Sequence, residues 1–269
     1  MSASGRGHLP FFETLGNTGG EVPWLTLVHG ASQDHRVFSA QIPVFEQHHR
    51  LLLVDLPGHG GSAALPGPYG FEEHALSVLA AMDEAGVEVT HYWGTHTGAA
   101  AGLLLASRHP ERIASLVLEG AVIPGVDLAA VAEALERARS SARNNGMEAA
   151  RSEWFERSEW FKVIRDNPVT CRADAHRAMI ADFPGGPWLD VSAPKAVPSL
   201  VPDLPSIRQP VLLINGEHDL RDFVRVADTL EQTLPNVQRA LIPKAGGFPL
   251  WEFPDRVNDR VRRFLEVSS

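Results

Sequence analysis

The sequence has a single cysteine, Cys171, in 269 residues, which excludes an internal disulfide and leaves no thiolate cluster for a metal. No apolar run is long enough to cross a bilayer. The first twenty residues are polar and glycine-rich and carry no hydrophobic leader region, so the expected compartment is the cytoplasm. Positive charge is also scarce. Lys and Arg number 24 against 33 Asp and Glu, and the formal net charge of −9 provides no basic footprint for nucleic acid or an anionic membrane. Phosphate-loop and dinucleotide fingerprints are missing, and Gly58-His59-Gly60-Gly61 precedes no Lys-Ser/Thr signature. Twelve histidines fall into no metal-binding spacing: His48 and His49 are adjacent, and His91 and His96 are five apart. No metal and no organic cofactor is expected. A small molecule is the default partner, and a homodimer is left open.

One further absence bears directly on chemistry: no Gly-x-Ser-x-Gly occurs anywhere in the chain. The stretch Gly94-Thr95-His96-Thr97-Gly98 follows an apolar, strand-like run from Val87 to Trp93 and precedes the small-residue helix opening Ala99-Ala100-Ala101-Gly102-Leu103. Strand, sharp turn and helix form the context of a nucleophile elbow, whose glycines let the backbone turn tightly and project the central side chain. Here the projecting group is the imidazole of His96.

The rest of the chain is ample for a folded core. With 44% hydrophobic and 21% charged residues, this length suits one elaborated α/β domain. Residues 25–28, 51–54, 90–93, 113–118, 211–215 and 239–242 read as buried strands, and 72–85, 99–107, 223–234 and 254–267 as helices between them. That alternation predicts a mostly parallel sheet flanked by helices, with functional groups beyond the carboxyl ends of the strands. From about Val122 to Arg208 the rhythm breaks into helical patterns between Pro-rich connectors, carrying three of the six tryptophans: Trp154, Trp160 and Trp188. Arg151-Ser152-Glu153-Trp154-Phe155 echoes in Arg157-Ser158-Glu159-Trp160-Phe161, too short to be a repeat architecture. The expected organisation is a core of 1–121 and 209–269 with a helical cap, 122–208, inserted after the sixth strand. An aromatic cap over the strand ends would make a mostly apolar pocket, suited to apolar or aromatic ligands.

On its motifs the whole chain resembles the α/β-hydrolase fold superfamily. His29-Gly30-Ala31 matches the family's oxyanion loop, Asp55-Leu56-Pro57-Gly58-His59-Gly60 its loop after the next strand, and Asn215-Gly216-Glu217-His218-Asp219 the loop bearing the triad acid. The resemblance places the catalytic histidine at 247 in Pro243-Lys244-Ala245-Gly246-Gly247-Phe248, where this sequence has glycine. Two of three triad positions are therefore altered, and the ordinary acyl-enzyme route is not available.

The substitutions can compensate in space. Loss of the imidazole at 247 leaves a void, and His96 could swing into it, oriented by Asp219 or by Glu119 at the strand end. The backbone amides of Ala31 and Thr97 would be the oxyanion hole, and Ser32, Trp93, Trp154, Trp160, Trp188 and Phe248 would line the pocket. His96 would then act as base or nucleophile on a small ester, lactone or thioester, or run base-catalysed non-hydrolytic chemistry. The alternative is a catalytically inactive homologue that binds an apolar small molecule. The resemblance implies that His29 is structural, and His35, His218 and Ser32 are read as loop residues at the pocket rim.

Overall fold

Residues 9–16 and 22–268 are described by the computed structural model, so most of the polar N-terminal stretch lies outside the described residues. All six expected strands form, and a seventh joins them at one edge. The strands are β1 (Phe12–Gly16), β2 (Trp24–Val28), β3 (Arg50–Val54), β4 (Thr90–Thr95), β5 (Ile113–Glu119), β6 (Val211–Gly216) and β7 (Val237–Ile242). They are ordered β1-β3-β2-β4-β5-β6-β7 in one sheet. β1 pairs antiparallel to β3, and every other pair is parallel. β1 has no periodic apolar signal in the sequence because it is a short edge strand whose residues are half-buried or exposed.

The central strands are almost continuously buried, as strands covered on both faces must be. Helices Phe71–Glu84, Thr97–Arg108, Arg221–Thr233 and Pro254–Ser268 supply the covering layers, within a residue or two of the expected spans. Helix Thr97–Arg108 lies so close to the sheet that a β-carbon on Gly98 would stand 2.2 Å from the Val28 carbonyl oxygen. The Tyr92 hydroxyl donates to the Gly98 carbonyl at 2.7 Å and ties β4 to the helix it feeds.

Between β5 and β6 the chain forms helices Ala129–Asn145, Met147–Arg157 and Ala173–Ala181, joined by shorter turns. This insert follows the fifth strand of this chain, one earlier than the family-based count. It is fastened to the sheet layer by specific polar contacts. Asp222, at the start of helix Arg221–Thr233, accepts from the Ala130 and Val131 amides at 2.9 and 3.2 Å and so caps the first insert helix, which has no capping side chain of its own. The Trp154 indole donates to Ser32 Oγ at 2.8 Å, and the Trp251 indole donates to the Cys171 carbonyl at 2.6 Å.

Because backbone stands where a side chain at position 98 would go, Gly98→Ala should lower the unfolding free energy by roughly 2–4 kcal/mol, the cost of forcing elements apart in a packed core. Alanine at Gly86, which meets nothing within 4 Å, should cost only about 1 kcal/mol for its positive φ of 68°. Chemical denaturation of the two variants measures the contrast, and equal losses would contradict the close approach.

Candidate active site

β4 hands over to helix Thr97–Arg108 through His96, at φ 47° and ψ −106°, so the expected elbow is present in the backbone. A non-glycine residue held there stores on the order of 1–3 kcal/mol of strain. The turn is braced by the His96 amide, which donates to the Glu119 carbonyl at 2.9 Å. Two glycines leave a slot for the ring. A β-carbon on Gly30 would stand 3.2 Å from His96 Nδ1, and one on Gly120 would stand 2.6 Å from Nε2.

The ring itself sits among aromatic side chains. Trp160 stacks on it at 5.8 Å and 20°, Phe223 meets it edge-on at 4.9 Å, and Phe248 is tilted against it at 5.0 Å. His96 makes no side-chain hydrogen bond among the described residues, and its Nε2 is buried without a partner. Burial lowers its pKa to about 4, so it is a neutral imidazole at physiological pH.

The expected pairing of His96 with Asp219 or Glu119 is therefore not made. Asp219 instead accepts from the Asn215 side chain at 2.9 Å and from the Leu220 amide at 2.8 Å. Glu119 accepts from the Leu250 amide at 3.1 Å, and its other oxygen is buried and unpartnered. The reason lies at Gly247, where the expected void is closed. The Trp160 carbonyl oxygen is 3.2 Å from where a β-carbon on Gly247 would stand, and Asp219 Oδ1 is 3.9 Å from it. Main chain of the insert thus packs directly against position 247.

Three carboxyl groups remain around that loop. Glu252 accepts from the Gly246 amide at 2.5 Å and from the Phe248 amide at 3.4 Å. With no imidazole among them, burial pushes the Asp219 and Glu252 carboxyls each up to about 7. Glu119 is pushed well above the usual range by burial, then by repulsion from Glu252 and Asp219. Asp219 keeps a partly exposed edge although its carboxyl group is desolvated.

A cavity of about 390 Å³ opens beside the elbow, lined by Ala31, Ser32 and Thr97 at one end and by residues of the insert, Trp188 and Arg139 among them, at the other. Of the expected pocket residues, Ser32 and Trp188 line it. Trp93 does not, because β4 directs it into the core against Phe38 and Phe45. Trp160 and Phe248 pack on His96, and Trp154 packs on Trp160 and Trp188 while bonding Ser32. The lining is also more polar than expected: His59, Tyr69, His74, Arg139 and Lys195 all contribute. His59 belongs to the sequence's Gly-His-Gly loop, but hydropathy gives no hint that its side chain turns inward.

Three more of the histidines singled out in the sequence have clear places. His29 Nδ1 lies 2.7 Å from the Gly30 carbonyl, and its Nε2 accepts from the Leu56 amide at 2.9 Å, which bolts the two loops together. His35 pairs with Asp55 at 2.9 Å, and His218 sits exposed in its loop. Among the described residues no group of three or more His, Cys, Asp or Glu side chains is arranged to hold a metal ion. Among the described residues no helix is long and apolar enough to cross a membrane.

Two titrations check this electrostatic picture. The His96 ring resonances should stay in the neutral form from pH 8 down to about 5, and Asp219→Asn should leave them in place; a shift on substitution would restore the dyad. A carboxyl with a raised folded pKa favours the fold most below its ordinary value of 3.8, and that contribution is lost as pH rises through about 7. Asp219→Asn, uncharged throughout, should gain stability over the parent across that window, by up to ~1.4 kcal/mol per pH unit. A stability gap that stays flat with pH would refute it.

Comparison with known proteins agrees with this geometry. Residues 23–158 match the family described as alpha/beta hydrolase fold. The pimeloyl-[acyl-carrier protein] methyl ester esterase of Nitrosospira multiformis is 27% identical, across 91% of this chain and 95% of that protein. A 2-succinyl-6-hydroxy-2,4-cyclohexadiene-1-carboxylate synthase from Yersinia enterocolitica is 26% identical, across 81% and 79%. The crystal structure of an enol-lactonase from Burkholderia xenovorans superposes with a TM-score of 0.83 at 25% identity, covering 95% of this chain and 96% of that one. The relatives thus include an esterase, a lactonase and a synthase. With a seven-stranded sheet, an elbow after β4 and a family match over half its length, the chain belongs to the alpha/beta hydrolase fold family.

Proposed function

We propose that this chain recognises a small carbonyl compound in the cavity beside the elbow, with the insert as its cap, and that it does so without the acyl-enzyme chemistry of a serine hydrolase. One observation carries the reading. The cavity reaches Ala31 and Thr97, whose amides bond to no other described group, whereas His96 is turned out of it into the aromatic cluster. Two free N–H groups at a loop and a helix N-terminus form an oxyanion-hole arrangement, suited to a carbonyl or carboxylate oxygen. They retain that capacity with no nucleophile present, because it resides in the backbone.

A second reading, His96 as base or nucleophile, has support of its own. The elbow keeps a strained backbone and a buried ring nitrogen without a partner, and both cost stability that a purely structural residue could avoid. On this reading the insert opens, and the ring meets a substrate held at Ala31. Relatives that hydrolyse esters or act as a synthase make ester, lactone and proton-abstraction chemistry the classes to try.

A single pair of measurements separates the two. Binding of methyl phenylacetate should shift the Ala31 and Thr97 amide signals in parent and in His96→Ala alike, with affinities within about twofold and no turnover in either. Turnover by the parent that falls roughly 10²-fold or more in His96→Ala would favour the catalytic reading instead. The pair His96→Ser with Gly247→His should fail to restore ester hydrolysis while Trp160 occupies the histidine's place, and recovery of activity would show that the insert yields.

A further inference from the structure

The cavity's charge runs against that of the chain. Acidic residues exceed basic ones by nine overall, yet no Asp or Glu lines the cavity, whereas Arg139 and Lys195 both do. Both belong to the segment between β5 and β6, so the insert brings positive charge to a pocket that Ala31 and Thr97 also line.

Arg139 is only loosely paired, and Lys195 shares its carboxylate partner with a second cation. The ion partner of Arg139 is Glu136, at a loose 3.9 Å, and Glu136 is taken more closely by Arg143 at 2.6 Å. Lys195 Nζ lies 3.0 Å from Glu72, but Glu72 also pairs with Arg108, so one carboxylate is shared between two cations. The Lys195 backbone is held by Glu73, whose carboxylate accepts its amide at 3.0 Å. This anchors the strand of chain that carries the ammonium against helix Phe71–Glu84. His59 and His74 are kept neutral by burial and add polarity without charge.

Resting on the carbonyl-binding reading above, we propose that the cavity's ligand is an organic anion: a compound whose carbonyl oxygen meets the Ala31 and Thr97 amides and whose carboxylate lies between Arg139 and Lys195. A guanidinium supplies the planar, paired donors that a carboxylate accepts, and a nearby ammonium adds a point charge. The apolar lining between them, Phe71, Leu135, Phe183 and Trp188, suits a hydrocarbon spacer separating the two oxygen-bearing ends.

The test uses matched probes that differ in one charge: the monomethyl and dimethyl esters of straight-chain diacids from five to eight carbons, titrated into the full chain by calorimetry. At least one half-ester should bind about tenfold more tightly than its dimethyl ester, as charge-assisted hydrogen bonds imply. That preference should fall to about twofold or less in the Arg139→Gln/Lys195→Gln double variant, shrink as salt is raised, and be kept only in part by Arg139→Lys, which retains the charge without the paired donors. If the dimethyl esters bind as tightly as the half-esters, or the preference persists in the double variant, the anion assignment falls and the carbonyl pocket stands. If neither class binds, the carbonyl-binding reading falls and takes the anion assignment with it.

Discussion

Much of this site depends on one close approach, that of the Trp160 main chain to Gly247. Without a side chain at 247, the insert settles until its carbonyl oxygen is 3.2 Å from the missing β-carbon's place, and the Trp160 ring comes to lie on His96. Phe223 and Phe248 complete the enclosure from two further elements, helix Arg221–Thr233 and the loop after β7. Aromatic pairs of this kind contribute roughly 0.5–1.5 kcal/mol each beyond the area they bury, so the cluster is a substantial clamp between insert and sheet. His96, enclosed by these rings, is not among the residues that line the cavity.

That closure has an electrostatic consequence. Asp219, Glu119 and Glu252, which come from three different segments, are all desolvated, and burial is the largest cause of the rise in each carboxyl's pKa. Backbone and amide donors from Leu220, Asn215, Gly246 and Leu250 carry what stabilisation there is. Protonation is the cheaper way to keep a carboxyl in such a place, and the raised pKa values express it. The neutral His96 is the counterpart on the other side of the elbow: the apolar enclosure that raises the acids also depresses the base. The two groups a catalyst would bring into contact are driven instead to their uncharged forms.

On the proposed reading, polar recognition rests on backbone. The Ala31 and Thr97 amides are set by the ends of β2 and β4, and the His29 ring bolts the first of these loops to Leu56. Ser32, at φ 59°, accepts the Trp154 indole and donates to the Ala31 carbonyl at 2.6 Å, so the insert also holds this loop. The cavity between them combines these donors with apolar walls and with cations supplied by the insert.

By itself the sequence determined the sheet, the covering helices, the elbow and the helical insert, because each is a local pattern: apolar runs of strand length, helical periodicity, and glycines around residue 96. It also showed that no Gly-x-Ser-x-Gly occurs in the chain. What it left undecided was direction and distance. β1 escaped because an edge strand is half-solvated and lacks a periodic apolar signal. Trp93 was expected in the pocket, but the alternation of β4 sends it to Phe38 and Phe45 in the core. The void at Gly247 was legible only as a missing side chain; that main chain from the insert, 87 positions earlier, would fill it depends on how two remote segments pack. That His59, Arg139 and Lys195 contribute to the cavity's lining was likewise decided by the tertiary structure, since a polar residue reads the same in sequence whether it meets water or the wall of a cavity.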